Sequence, residues 1–507
     1  MKIFESGQIR KIDEYTILNE PVSSVDLMER AAFQLYKWYS EKFDRSKRIV
    51  IFAGPGNNGG DGLALARILS VNRFNPEVFY VQFTEKTSDD WEKNSNRLKK
   101  ETPVPFNVVT EIDQFPLVST DDIIIDAIFG SGLSRPPDGL ASEIIKLING
   151  TGALVISIDI PSGLSGEDNK GNKNDIIVKA SYTLCFQFPK LSFLFAENEI
   201  YTGEWIVLPI GLHKTALRDF ASPYVFLEKT DIAPVLKKRK KFDHKGMFGH
   251  GLLVAGSHGK MGAAVLSAKA SLRTGIGLLT CHIPSGGNVI MQVAIPEAMS
   301  ETDHSENLIS GTPVTDKFNA VGIGPGIGTF PETRKVLNNI LTSCNKNMVI
   351  DADALNILSM NRDWYKFLNK NIILTPHPKE FERLTEPAGN SYARLNNQIR
   401  FSKDNKCIVV LKGAYTSITT PDGKVYFNST GNPGMATGGS GDTLTGIILS
   451  LLAQGYAPEN AAIAGVFLHG LAGDIAAEKS SYESLLPSDI INEIGEALTR
   501  LKTEDHL

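Results

Sequence analysis

The sequence is poor in cysteine, carries little net charge and has no long hydrophobic run. Only 4 of its 507 residues are cysteine. Cys185, Cys281, Cys344 and Cys407 stand far apart with no CxxC pair. A disulfide framework or a zinc site needs clustered thiols, so the four read as reduced core residues of a cytoplasmic protein. The formal net charge is −5 at pH 7. That argues against nucleic-acid binding, where phosphate contacts call for a basic face. The apolar run Ile447 to Ala453 is far too short to span a bilayer. The opening stretch, Met1 to Tyr15, is mixed polar and charged and lacks the apolar core of a signal peptide. Neither a membrane nor a nucleic acid is therefore expected as a partner.

What the chain does have is glycine, 45 residues of it, clustered at the ends of apolar runs. Its 507 residues allow two or more domains, at roughly 100–200 residues each. With 42% hydrophobic and 21% charged residues the composition is that of a globular protein.

Met28, Ala31, Ala32, Leu35, Trp38 and Tyr39 follow helical spacing, and Ser23 with Asp26 resembles a capping box. An apolar run, Arg48 to Ala53, leads into a glycine loop, and a helix is expected from about Leu63. Further strand-like runs lie at 78–83, 123–127 and 154–158, with helix-like stretches between several of them. This alternation predicts a parallel sheet with helices on both faces. The rhythm breaks between Asp219 and Lys245, where Pro223, Pro234 and the basic run Lys237 to Lys241 suggest a solvated join between domains. It then restarts. Strands are expected at 252–255, 321–324, 348–351, 372–375 and 408–412, and helices at 262–273, 441–451 and 460–478. The chain is thus expected to hold two α/β domains, residues 1–225 and 226–507.

The first glycine cluster, Gly54-Pro55-Gly56-Asn57-Asn58-Gly59-Gly60-Asp61-Gly62, follows a strand and opens a helix. Glycines permit positive φ and bare backbone N–H groups, and a helix N-terminus favours an anion. The spacing is neither that of a dinucleotide fingerprint nor of a P-loop. A merely structural turn is a fair competing reading. Two more strand ends shift the balance: Asp126 runs into Ala127-Ile128-Phe129-Gly130-Ser131-Gly132-Leu133-Ser134-Arg135-Pro136, and Asp159 into Ile160-Pro161-Ser162-Gly163. In an open parallel sheet such ends face one crevice.

Together, GPGNNGGDG, DAIFGSGLSRP and DIPSG resemble the NAD(P)H-hydrate epimerase family over roughly the first 220 residues. The resemblance implies a Rossmann-like three-layer domain. The ligands it implies are NADHX and NADPHX, nicotinamide cofactors that have gained water at C6, and the reaction interconverts their R and S forms. It implies a potassium ion on Asn58, Asp126 and Ser162. It implies substrate contacts from Asn57, Asn58, Gly59, Gly60 and Asp61, from Gly130, Ser131, Gly132, Leu133, Ser134, Arg135 and Pro136, and from Asp159. C6 can invert by loss and return of hydroxide, which a carboxylate assists by moving a proton. Asp159 is favoured for that step, with Asp61 also in play.

The second cluster is denser. Gly434 to Gly441 holds four glycines in eight residues and leads into a helix through Gly438-Gly439-Ser440-Gly441-Asp442. N–H groups from Gly439 to Asp442 would form an anion hole. A carboxylate beside it suits phosphoryl transfer: the hole holds a phosphate and Asp442 deprotonates the accepting hydroxyl. Gly324-Pro325-Gly326-Ile327-Gly328, Asp351-Ala352-Asp353, Thr375-Pro376-His377-Pro378-Lys379-Glu380 and Lys412-Gly413-Ala414-Tyr415-Thr416 follow other strands.

These motifs, from about Phe242 to Leu498, resemble the ribokinase-like superfamily, and within it the ADP/ATP-dependent NAD(P)H-hydrate dehydratases. The resemblance implies that the hydrated nucleotide lies near Ala263, Gly326, His377 and Asp442. It implies that ADP or ATP lies along Lys412, Gly413, Ala414, Tyr415 and Thr416 and up to Gly439, Ser440 and Gly441. Mg²⁺ would bridge the phosphates. In that reaction the nucleotide phosphorylates the C6 hydroxyl of the S form, phosphate leaves, and AMP and NAD(P)H result. ADP is the expected co-substrate, and a homo-oligomer the expected assembly. The competing reading is a small-molecule kinase of the same superfamily with a non-catalytic N-terminal domain. Such kinases often carry asparagine where this chain has His377, which favours the dehydratase. Lys379 departs from the dehydratase pattern, where glycine is common.

Overall fold

In the computed structural model residues 1–502 are described, except 134 and 173. The chain divides into two compact units. One is Lys2–Ser222 with Asn390–Tyr392; the other is Met1, Pro223–Gly389 and Ala393–Leu507.

In the first unit the short strand β1 (Lys2–Ile3) precedes the helices Ser6–Asn19 and Ser24–Lys42. The second helix carries the expected apolar stripe and is capped by Ser23, whose Oγ accepts from Asp26 N at 3.1 Å. The first went unread because only Ile12 and Thr16 of its 14 residues are buried, leaving no periodic stripe. There follow β2 (Arg48–Ala53), β3 (Asn75–Val81), β4 (Phe106–Val109), β5 (Ile123–Ala127), β6 (Leu154–Ile158), β7 (Tyr182–Phe186) and β8 (Glu204–Leu208). They form one parallel sheet in the order β4-β3-β2-β5-β6-β7-β8. Both faces are covered. Ile49, Ile51 and Ala53 of β2 join one apolar cluster and Val50 and Phe52 the other. Strand order reverses between β2 and β5, and a crevice opens at such a switch point.

The helix expected from about Leu63 begins at Asn57. Asn57 to Gly62 of the glycine cluster are therefore its first turns and not a free loop, and the cluster's glycines lie outside the positive-φ region. Glycine costs about 1 kcal/mol in a helix interior. Here close packing demands it. A Cβ on Gly59 would strike Gly54 O, and one on Gly62 would lie 2.7 Å from Ala127 Cβ on β5.

The second unit contains β9 (Tyr224–Phe226), β10 (His250–Val254), β11 (Leu278–Ile283), β12 (Met299–Thr302), β13 (Ala320–Ile323), β14 (Asn347–Ile350), β15 (Ile372–Leu374), β16 (Ile408–Leu411), β17 (Ser417–Thr419) and β18 (Val425–Phe427). Their order is β9-β18-β17-β16-β15-β14-β13-β10-β11-β12. Pairing is parallel except at β16-β17 and β17-β18, an antiparallel meander absent from the sequence expectation. The switch point falls between β10 and β13.

The helices Met261–Arg273, Ser440–Ala453, Pro458–Lys479 and Pro487–Lys502 cover one face. Pro458–Lys479 is long and apolar enough to cross a membrane on composition, but most of it is buried inside this unit. The basic run is not simply a solvated linker. Lys237 Nζ donates to Gln454 O and Gly455 O at 2.8 and 2.9 Å, and Arg239 donates to Gly275 O. Both cations thus sit at helix C-termini, where exposed carbonyls favour positive charge. Among the described residues all four cysteines are free, and Cys185, Cys281 and Cys407 are buried.

Candidate functional sites

The first site lies at the carboxyl ends of β2, β5 and β6. Asp126, at the end of β5, is fully buried. It accepts hydrogen bonds from Ser157 Oγ (2.7 Å), Ser162 N (2.8 Å), Ser162 Oγ (2.5 Å) and Ile128 N (3.3 Å). Burial still pushes its carboxyl above the usual range, against the pull of these donors. Asn58 Nδ2 donates to Phe129 O at 2.9 Å, while Phe129 N donates to Ser162 Oγ at 2.8 Å. The main chain of Phe129 therefore ties Asn58 to Ser162. Asn58 Oδ1 is buried with no hydrogen-bond partner. The structure thus gathers Asn58, Asp126 and Ser162 as an oxygen-rich cluster with one oxygen unsatisfied.

Next to it, Asp159 has φ of +65°. Its Oδ1 lies 2.8 Å from Lys190 Nζ and its Oδ2 accepts from Ser131 N at 3.2 Å. Burial, the largest single influence, raises the Asp159 carboxyl, but the Lys190 ammonium and the hydrogen bond from Ser131 together outweigh it and the net shift is downward. Lys190, 2% exposed, follows β7 in Gln187-Phe188-Pro189-Lys190. The reading of the sequence missed it. Its signal was a lysine just beyond a fourth strand end. Asp61 moves the other way. Burial, with Asp159, Asp13 and Asp90 adding to it, holds it well above the usual carboxylate range. Asp13, on the unread first helix, is pushed up to about 7, chiefly by burial. The site therefore sets a carboxylate shifted downward, Asp159, beside two shifted upward, Asp61 and Asp13. Of the expected contact residues, Asn57, Gly132 and Arg135 are exposed, and Gly60 is buried against the Met28 side chain. Ser134 lies outside the described residues.

The second site lies around the β10/β13 switch point. A cavity of about 630 Å³ is lined by Gly259, Lys260, Gly262, Ala263, Gly326, Ala352, Asp353, Asn356, Glu380, Gly438 and Asp442. It brings together Ala263, Gly326 and Asp442 from distant stretches of chain. Gly326 has φ of +68°, and a Cβ there would lie 2.8 Å from Lys260 O, so the turn after β13 requires glycine. Asp353 Oδ2 is held by Gly328 N (2.9 Å) and Lys260 Nζ (3.2 Å).

Asp442 is the third residue of the helix Ser440–Ala453. Its place is set by close helix packing. A Cβ on Gly446 would strike Ser267 O, and Ser267 Oγ donates to Asp442 O at 2.9 Å. The N–H dipoles of a helix N-terminus by themselves favour an ionised carboxylate. Instead, burial and then the nearby Asp351 push it up to about 6, with Lys412 opposing. A helix terminus contributes a partial charge, whereas Asp351 contributes a whole one.

Lys412 Nζ lies 2.9 Å from Asp351 Oδ1 and 3.9 Å from Glu380 Oε2. Thr445 Oγ1 donates to Asp351 Oδ2 at 2.7 Å. A Cβ on Gly441 would lie 3.2 Å from Lys412 Nζ, so the ammonium sits beside the first turn of Asp442's helix. Gly413 N donates to Thr416 Oγ1 at 3.2 Å, closing the turn that holds Ala414 and Tyr415.

His377 does not line the cavity, though Glu380 does. Its Nδ1 accepts from Lys379 N (3.2 Å) and Glu380 N (3.4 Å), and its own N–H donates to Glu380 Oε2 (2.8 Å). It therefore caps the helix Pro378–Leu384. Burial and Lys412 lower its pKa, in keeping with an accepting Nδ1. Lys379 is exposed.

Comparison with known proteins covers both sites. A family described as YjeF-related protein N-terminus matches residues 24–192, and one described as NAD(P)H-hydrate dehydratase matches residues 251–496. The bifunctional NAD(P)H-hydrate repair enzyme Nnr of Thermofilum pendens is 35% identical over 517 residues, covering 99% of this chain and 97% of that one. Its counterpart in Moorella thermoacetica is 32% identical over 523 residues, covering 99% and 98%. A ribokinase-like superfamily protein from Enterococcus faecalis, of known structure, is 29% identical with a TM-score of 0.50, covering 56% of this chain and 99% of its own. The reading as a small-molecule kinase with an idle N-terminal domain is not favoured, because the similarity to repair enzymes runs through both units. Near-full-length identity of 35%, with a family match in each half, shows that the chain belongs to the bifunctional NAD(P)H-hydrate repair enzymes.

Proposed function

We propose that residues 1–225 interconvert R- and S-NAD(P)HX and that residues 226–507 dehydrate the S form with ADP as phosphoryl donor, releasing AMP and phosphate. The observation that carries the dehydratase half is Asp442, poised at about 6 on the cavity wall and at the first turn of a helix. N–H groups of that turn receive the transferring phosphate, and Asp442 takes the proton of the C6 hydroxyl as its oxygen attacks phosphorus. Asp351 holds Lys412 beside the turn, where the ammonium offsets phosphate charge. Mg²⁺ would enter with the nucleotide and offset its phosphate charge, and would not be held in a protein cage. Asp351 is already engaged by Lys412 and Thr445, and Asp353 by Lys260 and Gly328. His377 orders Glu380 at the cavity edge through its backbone N–H and Nε2, and so acts on the hydrated nicotinamide through that carboxylate.

In the epimerase half, opposite protonation states support a division of roles. Asp61 donates a proton to the departing C6 hydroxyl, and ionised Asp159, fixed by Lys190, accepts one from the returning water. The ring nitrogen stabilises the cation formed between these steps. A potassium ion fits Asn58, Asp126 and Ser162, because these are hard oxygen donors and Asn58 Oδ1 has no hydrogen-bond partner. When bound, the ion would supply positive charge for phosphate and order the Asn57–Asp61 turn.

Dehydration of pure S-NADPHX with ADP and ATP compared side by side tests the C-terminal assignment. Clearance of R-NADHX by a variant with an inactivated C-terminal half, supplemented with a separate dehydratase, tests the N-terminal one. No turnover with either nucleotide, or no clearance of the R form, would remove the corresponding activity.

A further inference from the structure

The helix Pro458–Lys479 carries a histidine to which the reaction assigns no role. His469 is buried, and its Nε2 lies 3.3 Å from Ser440 Oγ. Burial, reinforced by Lys412, pushes its pKa down to about 4, so the ring is neutral at working pH, with one donor and one acceptor nitrogen. A buried histidine is often only a core residue with its hydrogen bond satisfied. The identity of the partner sets this one apart. Ser440 opens the helix that bears Asp442, and it follows an N-cap, Gly439, with φ of +96° and no side chain to fix the turn.

The same helix also grips the chain leading into that turn. Asp474 accepts from Gly431 N through Oδ2 and from Asn432 Nδ2 through Oδ1, each at 2.9 Å. Thr430 Oγ1 donates to Phe467 O at 2.9 Å. A Cβ on Gly470 would strike Thr430 Oγ1, and one on Gly473 would strike Met435 Sδ. Residues 469, 470, 473 and 474 recur at helical spacing and so form one face. That face is moulded to the Thr430–Ser440 segment, and His469 is its contact with the turn itself.

We propose that His469 is a positioning residue for the dehydration. By holding Ser440 Oγ, it sets the Gly439–Asp442 turn so that phosphate donors and the base Asp442 meet the C6 hydroxyl in register. The proposal rests on reading that turn as the phosphate site. A neutral imidazole suits the task, because a charged one would compete with Lys412 and draw the phosphate off line.

The test uses the full chain and S-NADHX with saturating ADP. It compares His469→Leu, His469→Gln, Ser440→Ala and the Ser440→Ala/His469→Leu double variant. Gln keeps an amide nitrogen near the Nε2 position, and Leu keeps bulk alone. Losing one oriented hydrogen bond predicts that Leu and Ala each lower kcat about five- to tenfold, with KM for ADP changed less than about twofold. The double variant should be no slower than the slower single, and Gln should recover most of the loss. Multiplicative losses in the double variant would overturn the proposal, as would a His469→Leu enzyme within about twofold of wild-type kcat at any Tm. If the Leu variant does not fold, His469→Asn, whose amide is too short to reach the Nε2 position, gives the same cycle alone and combined with Ser440→Ala, with epimerase activity reporting on integrity. A wild-type chain inactive with both nucleotides would instead sink the assigned reaction.

Discussion

Lys190 Nζ and Asp159 Oδ1 lie 2.8 Å apart at the ends of neighbouring strands, the lysine 2% exposed. The pair explains how a buried carboxylate stays ionised beside Asp61 and Asp13, both raised by burial. Removing one partner of a buried pair leaves an uncompensated charge, at a cost of about 3–5 kcal/mol. Lys190→Met should therefore lower the stability of the N-terminal unit by about that amount. It should also abolish epimerisation while dehydration of pure S-NADHX persists. Calorimetry with paired assays would check this, and unchanged epimerase turnover would rule out the role given to the pair.

Asp126 concentrates the oxygen cluster. Asp126→Ala should weaken potassium binding and remove potassium stimulation of epimerisation, with dehydration of the S form retained. Isothermal titration with potassium chloride and an epimerase assay in sodium and potassium buffers would measure both. Loss of both activities in a folded protein would contradict independent sites.

Asp442→Asn keeps shape and hydrogen bonding but deletes the base. Loss of a general base typically costs about 10²–10⁴ in rate. The dehydratase kcat should fall by that factor, with near-normal ADP affinity and unchanged epimerase activity. A variant within a few-fold of wild type would shift attention to Asp351 or Asp353.

The pH dependence follows from the same residue. A base works only when deprotonated, and Asp442 is raised to about 6. Dehydratase kcat should level off above that pH and fall as the pH drops through it, approaching tenfold per unit below. A flat profile from pH 5 to 8 at saturating substrate would mean that another group takes the proton.

His377 caps its helix through Nδ1 and orients Glu380 through its own N–H. Asparagine is a good cap, so His377→Asn should leave stability almost unchanged. It should raise KM for S-NADPHX while leaving ADP binding intact. If only nucleotide binding collapsed, the assignment of His377 to the hydrate would be wrong.

Much of the architecture is local information. The alternation of apolar runs with helical periods announces two α/β units, and the glycine-marked strand ends announce where ligands approach, because both depend on residues close in sequence. The GPGIG turn was readable because Gly324, Gly326 and Gly328 all need positive φ. Other features were settled by distant neighbours. GNNGGDG looks like a loop by propensity, yet forms helix because β5 and Gly54 leave room only for glycine. Lys190 and Asp13 meet Asp159 only after the strands and the first helix have been arranged. The sequence placed Asp442 at a helix start by itself. Its protonation state came from burial and from Asp351, a carboxylate ninety-one positions away in the chain. Electrostatic energy depends on distance in space and on solvent exclusion, and neither is written in sequence separation.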